Sequence, residues 1–345
     1  LPIDALGFAS LYAQTSNQEM KALAKKAMDS IYYILAVYSL DGIFSTTAGR
    51  TYPKELFGNN SNCPSFINWI GYGIGNTSHA GKGVTALCFS DYQAPLKYRQ
   101  FCQVPQGKAL VSQSTHGYNG HADVYACKTS CSLLSSANNF RVGERGFQEN
   151  PIHLIFSATE QVWVNHPGEH NLFGHARPSY WAGNGTLPRV NQYENFASIV
   201  FNTKADHPVD FTHVYLPTME FAAFVQRGNW LFAEAHNGGY VALYCSEKLE
   251  RVLYGPNKDR EFIAQGRKAV YLLRVGSKHG YGSLESFMQA MQNTPMNATA
   301  ETYVFEDAAL GRLEGGWGVS LQVQGQPVKY NGFDPVGTNL WQSER

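Results

Sequence analysis

The segment DGIFSTTAGRTY, residues 41–52, sets Arg50 and Tyr52 two positions apart on a glycine-containing loop after a long apolar run. An arginine offers a fixed fork of donors to a carboxylate, and a tyrosine hydroxyl beside cations can give or take a proton. Loops at the ends of regular elements are common homes for such groups. The plainer expectation is that Tyr52 packs and Arg50 makes a surface salt bridge.

A second candidate is HGYNGHAD, residues 116–123, where His121 and Asp123 are two apart. On a strand that spacing puts both on one face, as a metal pair or an acid–base pair. A solvated turn before the first strand is the plainer reading. The third is Val164–Phe201, which carries His166, His170, His175, Arg177, Arg189 and a run of aromatics. Its first two-thirds follows neither a helical nor a strand period and reads as a long ordered loop, a kind usually functional or disordered. Its aromatics argue against disorder. His153 adds a fourth imidazole nearby, but no HExxH or other tight ligand motif is present, and a zinc site needs three or four converging ligands. GYGIGNTSHAGKG, residues 71–83, fails as a phosphate loop: Asn76 stands where glycine is needed, and Gly83 where serine or threonine is needed. No GxSxG elbow occurs.

These residues need elements to hold them. Met20, Leu23, Ala24, Ala27, Met28, Ile31, Ile34 and Leu35 repeat at helical spacing. Ser16 with Glu19 makes a capping box, and Asp41-Gly42 a stop. Residues 5–13, 63–72 and 79–89 read as further short helices. From Ala109 the pattern turns to short β-branched and aromatic runs bounded by Gly, Asn and Pro, with one late helix at 283–292. That predicts an α+β, mostly β protein: a helical domain over 1–108, then an antiparallel β-sandwich over 109–345.

Lys+Arg and Asp+Glu balance at 27 each among 345 residues, and a nucleic-acid binder would show a basic excess. No apolar run is long enough to span a membrane. Aromatics at 13% suit both strands and sugar-stacking surfaces. Six cysteines and four N-x-S/T sequons, at Asn59, Asn76, Asn184 and Asn297, lead us to expect a secreted, extracellular or periplasmic glycoprotein with disulfides.

Several segments together resemble the heparinase II/III-like polysaccharide lyases. DGIFSTTAGRTY followed by SFINWIGYGIG resembles the last helices of that family's (α/α) toroid. SSANNFRVGERGFQENPIHLIF, VWVNHPGE, YWAGNGTLPRVNQYENFASIVF and GNWLFAEAHNGGYVALY resemble its sandwich in order. The resemblance implies a partial toroid-like helical layer, whose remainder would come from an N-terminal portion of the same polypeptide or from another subunit. It implies β-elimination on a uronic-acid polysaccharide, with Arg50 neutralising the carboxylate, Tyr52 acting as base or acid, the loop histidines supplying its partner, and His121 counted with Arg50 and Tyr52 among the catalytic residues. Trp69, Tyr180, Trp181, Arg189 and Gln192 become substrate contacts. A structural zinc or calcium would fall to His153, with His166 replacing the family's Asp; Gln192-Tyr193-Glu194-Asn195 departs from the family's His-Asn. Two alternatives stand: a non-catalytic carbohydrate-binding, structural or assembly protein, and a glycoside hydrolase. The hydrolase would need two carboxylates about 5–9.5 Å apart, drawn from Asp41, Glu55, Glu149 and Glu169.

Overall fold

The computed structural model describes residues 1–56, 63–75, 84–117 and 122–345, without the side chains of 54, 55 and 63. Strand outweighs helix, 36% against 21%, and the strands form several antiparallel sheets, so the protein is mostly β. Helices α1 (Pro2–Gln14), α2 (Gln18–Val37), α3 (Pro53–Leu56), α4 (Cys63–Tyr72) and α5 (Val84–Cys88) precede a 3-10 turn at Leu96–Phe101. They make a layer, and no ring of helix pairs is seen among the described residues.

α2 forms because its apolar face recurs at helical spacing, burying Ala24, Met28, Ile31 and Leu35. Its N-cap is Asn17 rather than Ser16: the Asn17 carboxamide oxygen accepts from the backbone N–H groups of Glu19 and Met20. The helix also ends earlier than expected, at Val37. Asp41 and Gly42 are not its stop. Both have positive φ (49° and 78°) and form the two-residue turn of a hairpin, β1 (Ser39–Leu40) and β2 (Ile43–Phe44).

A nine-stranded sheet follows, built from β3 (Lys108–His116), β4 (Ala122–Lys128), β5 (Leu133–Asn138), β6 (Ile152–Ile155) and β7 (Gln161–Asn165). β8 (Arg189–Tyr193) and β9 (Phe196–Asn202) belong to a second sheet, while β10 (Phe211–Tyr215) returns to the first. The six-stranded second sheet continues with β11 (Ala223–Arg227), β12 (Trp230–Glu234) and β13 (Gly239–Cys245). β14 (Leu249–Arg251) and β15 (Glu261–Gln265) complete one edge of the first sheet, and β16 (Lys268–Ser277) joins the second. After α6 (Lys278–Tyr281) and α7 (Leu284–Asn293) comes a five-stranded sheet: β17 (Met296–Ala298), β18 (Thr302–Asp307), β19 (Gly311–Gly316), β20 (Val319–Val323) and β21 (Gln326–Pro327). β22 (Thr338–Ser343) closes the first sheet against β3.

Strand alternation sorts the side chains. Leu134, Leu154, Val162, Val164, Val214 and Phe262 point inward and meet Ile199, Leu231, Val241 and Leu273 of the second sheet. The far face of the second sheet packs Phe232, Tyr240 and Leu272 against Phe287 and Met291 of α7 and against Phe305 and Leu313. There Arg274 and Asp307 form a buried ion pair at 2.7 Å.

The outer face of the nine-stranded sheet is divided. On one half Leu110, Ala126, Leu133 and Ile155 pack under α2 and α4 with Tyr33, Leu35 and Ile67. Lys128, also on that face, donates to the carbonyl of Ala36 in the last turn of α2 (2.7 Å), which has no helical partner, and to that of Ser39 in β1 (2.8 Å). On the other half the register lines up Ser135, His153, Trp163, Asn165, His213, Tyr215 and Glu261. This polar and aromatic half is covered by loops and the single-turn helix α3 rather than by long helices.

The five cysteines whose side chains are described, Cys88, Cys102, Cys127, Cys131 and Cys245, are free thiols, so the expected disulfide framework does not form among them. The sequon at Asn184 is also corrected. Asn184 is fully buried, its side chain accepting from His166 N and donating to Glu149 O, which leaves no room for a glycan. Asn297 is exposed on β17, and Asn59 and Asn76 lie outside the described residues. No helix among the described residues is long and apolar enough to cross a membrane.

Candidate functional site

Residues 45–56 run as a strap over the polar half of that outer face. Ser45 Oγ donates to Gln161 Oε1 (3.0 Å), and Thr46 Oγ1 and Thr47 N both donate to Ser135 Oγ. Ala48 and Asn150 exchange backbone hydrogen bonds. Thr51 donates through its N–H and its hydroxyl to Gln148 O, and Gln148 Nε2 returns a bond to Thr51 O (2.6 Å). Leu56 then drops into an aromatic cluster of Trp163, Tyr180, Trp181 and Tyr215. The strap is thus fixed on both sides of Tyr52.

The long loop is fixed as firmly. Asn165 Nδ2 donates to the carbonyls of Tyr180 and Gly183, and Gly168 N donates to Ser179 O (2.9 Å). Tyr180 donates its hydroxyl to Glu261 Oε1 at 2.6 Å, and the same oxygen takes His213 Nδ1 at 2.6 Å. Trp181 stacks on the His213 ring. Gly183 has φ +90°, and a Cβ there would stand 2.5 Å from Phe147 O, so only glycine lets the loop close on residues 147–148.

Strap and loop meet at Tyr52. Arg50 Nη2 donates to the Tyr52 hydroxyl at 2.6 Å, with its guanidinium carbon 5.6 Å from the ring centre. The Arg177 guanidinium lies 5.7 Å from the centre of the same ring and 5.6 Å from that of Phe147. Both arginines are exposed, and neither has an ion-pair partner among the described residues. The structure therefore brings together Arg50, Tyr52 and a residue to which the sequence assigned no role, Arg177. No sequence signal singled it out: only the path of the loop brings its guanidinium to the Tyr52 ring.

The other expected site residues fall elsewhere. His121 lies outside the described residues, and its neighbour Asp123 accepts from Thr115 Oγ1 (2.9 Å). Trp69 is exposed on α4, against Phe66. Tyr180 and Trp181 are buried as loop anchors, not open to a sugar. Gln192 has no exposed surface: it accepts from Ser136 Oγ and donates to the carbonyls of Leu134 and Glu194. Arg189 points away, to Trp317 O (2.7 Å) and Asn139 Oδ1 (2.6 Å), tying β8 to the five-stranded sheet. All four have packing and hydrogen-bonding roles: Tyr180 and Trp181 anchor the loop on Glu261 and His213, and strand alternation on β8 turns Gln192 inward and Arg189 towards a neighbouring sheet.

The metal expectation is corrected too. His153 Nδ1 accepts from Asn150 Nδ2 (2.8 Å), so Nε2 carries the proton and faces Gln161 Oε1 (2.7 Å). His166 Nδ1 accepts from Thr186 N and Nε2 faces Val209 O. Burial pushes His153 down to about 4 and His166 to about 3, so both are neutral, with both nitrogens used by protein. No group of three ligands that could hold a metal occurs among the described residues. The carboxylates considered for hydrolysis are also occupied: Glu149 bonds Phe147 N and Arg141, and Glu169 accepts from Ala176 N. Asp41 sits in the β1–β2 turn beside Val104 and Ser130, and the Glu55 side chain is outside the described residues.

The fold and site define an antiparallel multi-sheet protein with an arginine–tyrosine cluster on an outer sheet face. No protein-family model matches the chain, and no curated protein matches it. Among solved structures, heparinase III is similar at 9% identity and a TM-score of 0.32, over 98% of this chain. This chain spans 59% of the length of that one. Neither fold nor activity is carried across at that level of likeness.

Proposed function

We propose that the protein is carbohydrate-active, a lyase that cleaves a uronic-acid polysaccharide by β-elimination at Tyr52. The carrying observation is the 2.6 Å hydrogen bond from Arg50 Nη2 to the Tyr52 hydroxyl, in an exposed cluster holding a second arginine. A guanidinium donating to a phenol oxygen stabilises negative charge there. Tyr52 would take the C5 proton as a phenolate, the C5–H electron pair forming the C4=C5 bond. The C4–O4 bond then breaks with its electron pair on O4, which is protonated by the same phenol or by water. The acidified C5–H requires its carboxylate to be neutralised, and arginine suits that task. The reaction has no covalent intermediate, so tightly bonded carboxylates such as Glu149 are no obstacle to it. The toroid-plus-sandwich architecture of the lyases, with the remaining helices supplied by another portion or subunit, belongs to the same proposal.

The test is the ultraviolet absorbance of the unsaturated product when the full chain is incubated with a panel of uronate polysaccharides. Tyr52→Phe removes only the hydroxyl, and we expect turnover to fall about 10²–10⁴-fold. Turnover unaffected by Tyr52→Phe would remove this residue from the chemistry. New reducing ends without that absorbance would mean hydrolysis, and sugar binding without cleavage would mean a binding protein.

A further inference from the structure

We propose that Arg177, and not Arg50, is the residue that recognises the acidic group of the sugar, making it the specificity determinant of the site. This rests on the lyase reading and divides its labour between the two arginines. Arg50 comes from the same short strap as Tyr52 and spends its nearest N–H on the Tyr52 oxygen. Its charge is thereby placed on the reacting hydroxyl. Arg177 arrives 125 residues later, on the tip of a loop pinned at its base by Gly168 N to Ser179 O and by the Tyr180 hydroxyl to Glu261. Its guanidinium lies near two ring systems, Tyr52 and Phe147. Aromatic rings beside a planar cation restrict its motion and leave N–H groups at its edge. Among the described residues none of those N–H groups has a hydrogen-bond acceptor or a carboxylate within ion-pair distance. The nearest acidic residue along the chain, Glu169, directs an oxygen to Ala176 N instead.

A pre-positioned guanidinium with its edge open fits a bidentate carboxylate, and the ordering of the arginine has already been met by the rings. Phe147, half exposed, offers a ring to the apolar face of a sugar next to that carboxylate. The acidic group would sit over Arg177 with its α-hydrogen turned towards the Tyr52 oxygen.

The experiment measures binding apart from turnover. Hexamers of galacturonate, glucuronate and mannuronate, and their carboxyl-reduced neutral counterparts, are titrated calorimetrically into the full chain and into Arg177→Ala and Arg50→Ala. We expect the intact chain to prefer an acidic hexamer. Arg177→Ala should weaken that hexamer about ten- to a hundredfold and leave the neutral one nearly unchanged. Arg50→Ala should keep the preference while lowering turnover at saturation. Thermal melts check that both variants are folded, and Arg177→Lys, which keeps the charge but not the bidentate fork, should recover part of the acidic affinity and with it part of the preference. An intact chain without acidic preference, or an Arg177→Ala variant that keeps it, overturns the proposal. Absence of unsaturated product with acidic binding intact would instead overturn the lyase reading alone.

Discussion

The imidazole of His213 lies flat against the indole of Trp181, ring centres 4.1 Å apart and planes within 10°, although the residues are 32 positions apart. His213 is on β10, and Trp181 is on the loop that carries Arg177. Glu261, on the adjacent strand, holds the imidazole from one side and the Tyr180 hydroxyl from another. The loop that reaches Tyr52 is therefore anchored to the sheet by consecutive aromatic residues gripping one buried carboxylate–imidazole pair.

Removing that anchor should loosen the site before it unfolds the protein. Trp181→Ala deletes a buried indole that also meets Trp163, Tyr180 and Tyr215 edge-on. We expect a loss of about 3–5 kcal/mol in urea unfolding. Trp181→Phe, which keeps a ring over His213, should lose less. Limited proteolysis should cut residues 169–177 faster in Trp181→Ala than in the parent at a urea concentration where both remain folded. Equal cutting would mean that the stack does not hold the loop.

Lys128 gives a pH dependence with a definite sign. Burial pushes its ammonium down to about 7, below the unfolded value of about 10.4. Between those values the unfolded chain binds a proton that the folded chain does not, so stability rises as pH increases through that window. Below pH 7 the amine is protonated in both states and the cost of burying its charge is present in full. Lys128→Met removes the titration, and the slope of unfolding free energy between pH 7.5 and 9.5 should fall by up to about 1.4 kcal/mol per unit. Parallel pH profiles for parent and variant would show that the Ala36 and Ser39 carbonyls keep the amine charged throughout.

The legible part of the fold was the part ruled by apolar period. β9, β10, β12, β13 and β16 lie within the β-branched and aromatic runs that follow Ala109, and α2 and α7 within the segments of helical spacing. The outer half-face was not legible. His213, Trp163 and Glu261 look in sequence like ordinary strand residues, and only register places them together beneath the strap and the long loop. β22 carries no clear period in sequence because it is an edge strand with most of its side chains exposed. Asp41-Gly42 was read as a helix stop because glycine serves both tasks; the two positive φ values decide for a hairpin. Of the site, Arg50 and Tyr52 were visible as chemistry, while Arg177 needed the third dimension. Tyr180 and Trp181 sit in the long loop but are its buried anchors, and Gln192 is turned inward on β8, so none of the three is open to a sugar.

The thiols allow a direct check on the chain's redox chemistry. Cys88 is exposed, whereas Cys102, Cys127, Cys131 and Cys245 are buried. Burial raises Cys102 and Cys131 to about 11 and Cys245 to about 12, and it raises Cys127 further still. A thiol reacts as its thiolate, so burial and high pKa both slow these four. With an aromatic disulfide reagent at pH 8, Cys88 should react within minutes in the native protein. The four buried thiols should react only after unfolding in denaturant, with no reductant needed to release them. Cys88→Ser should remove the fast phase without altering the slow one, apart from whatever Cys63 contributes. Peptide mapping under non-reducing conditions assigns each phase to its residue. If any two of Cys102, Cys127, Cys131 and Cys245 map to a single linked peptide, the free-thiol assignment fails and the oxidising compartment expected from the cysteine count returns.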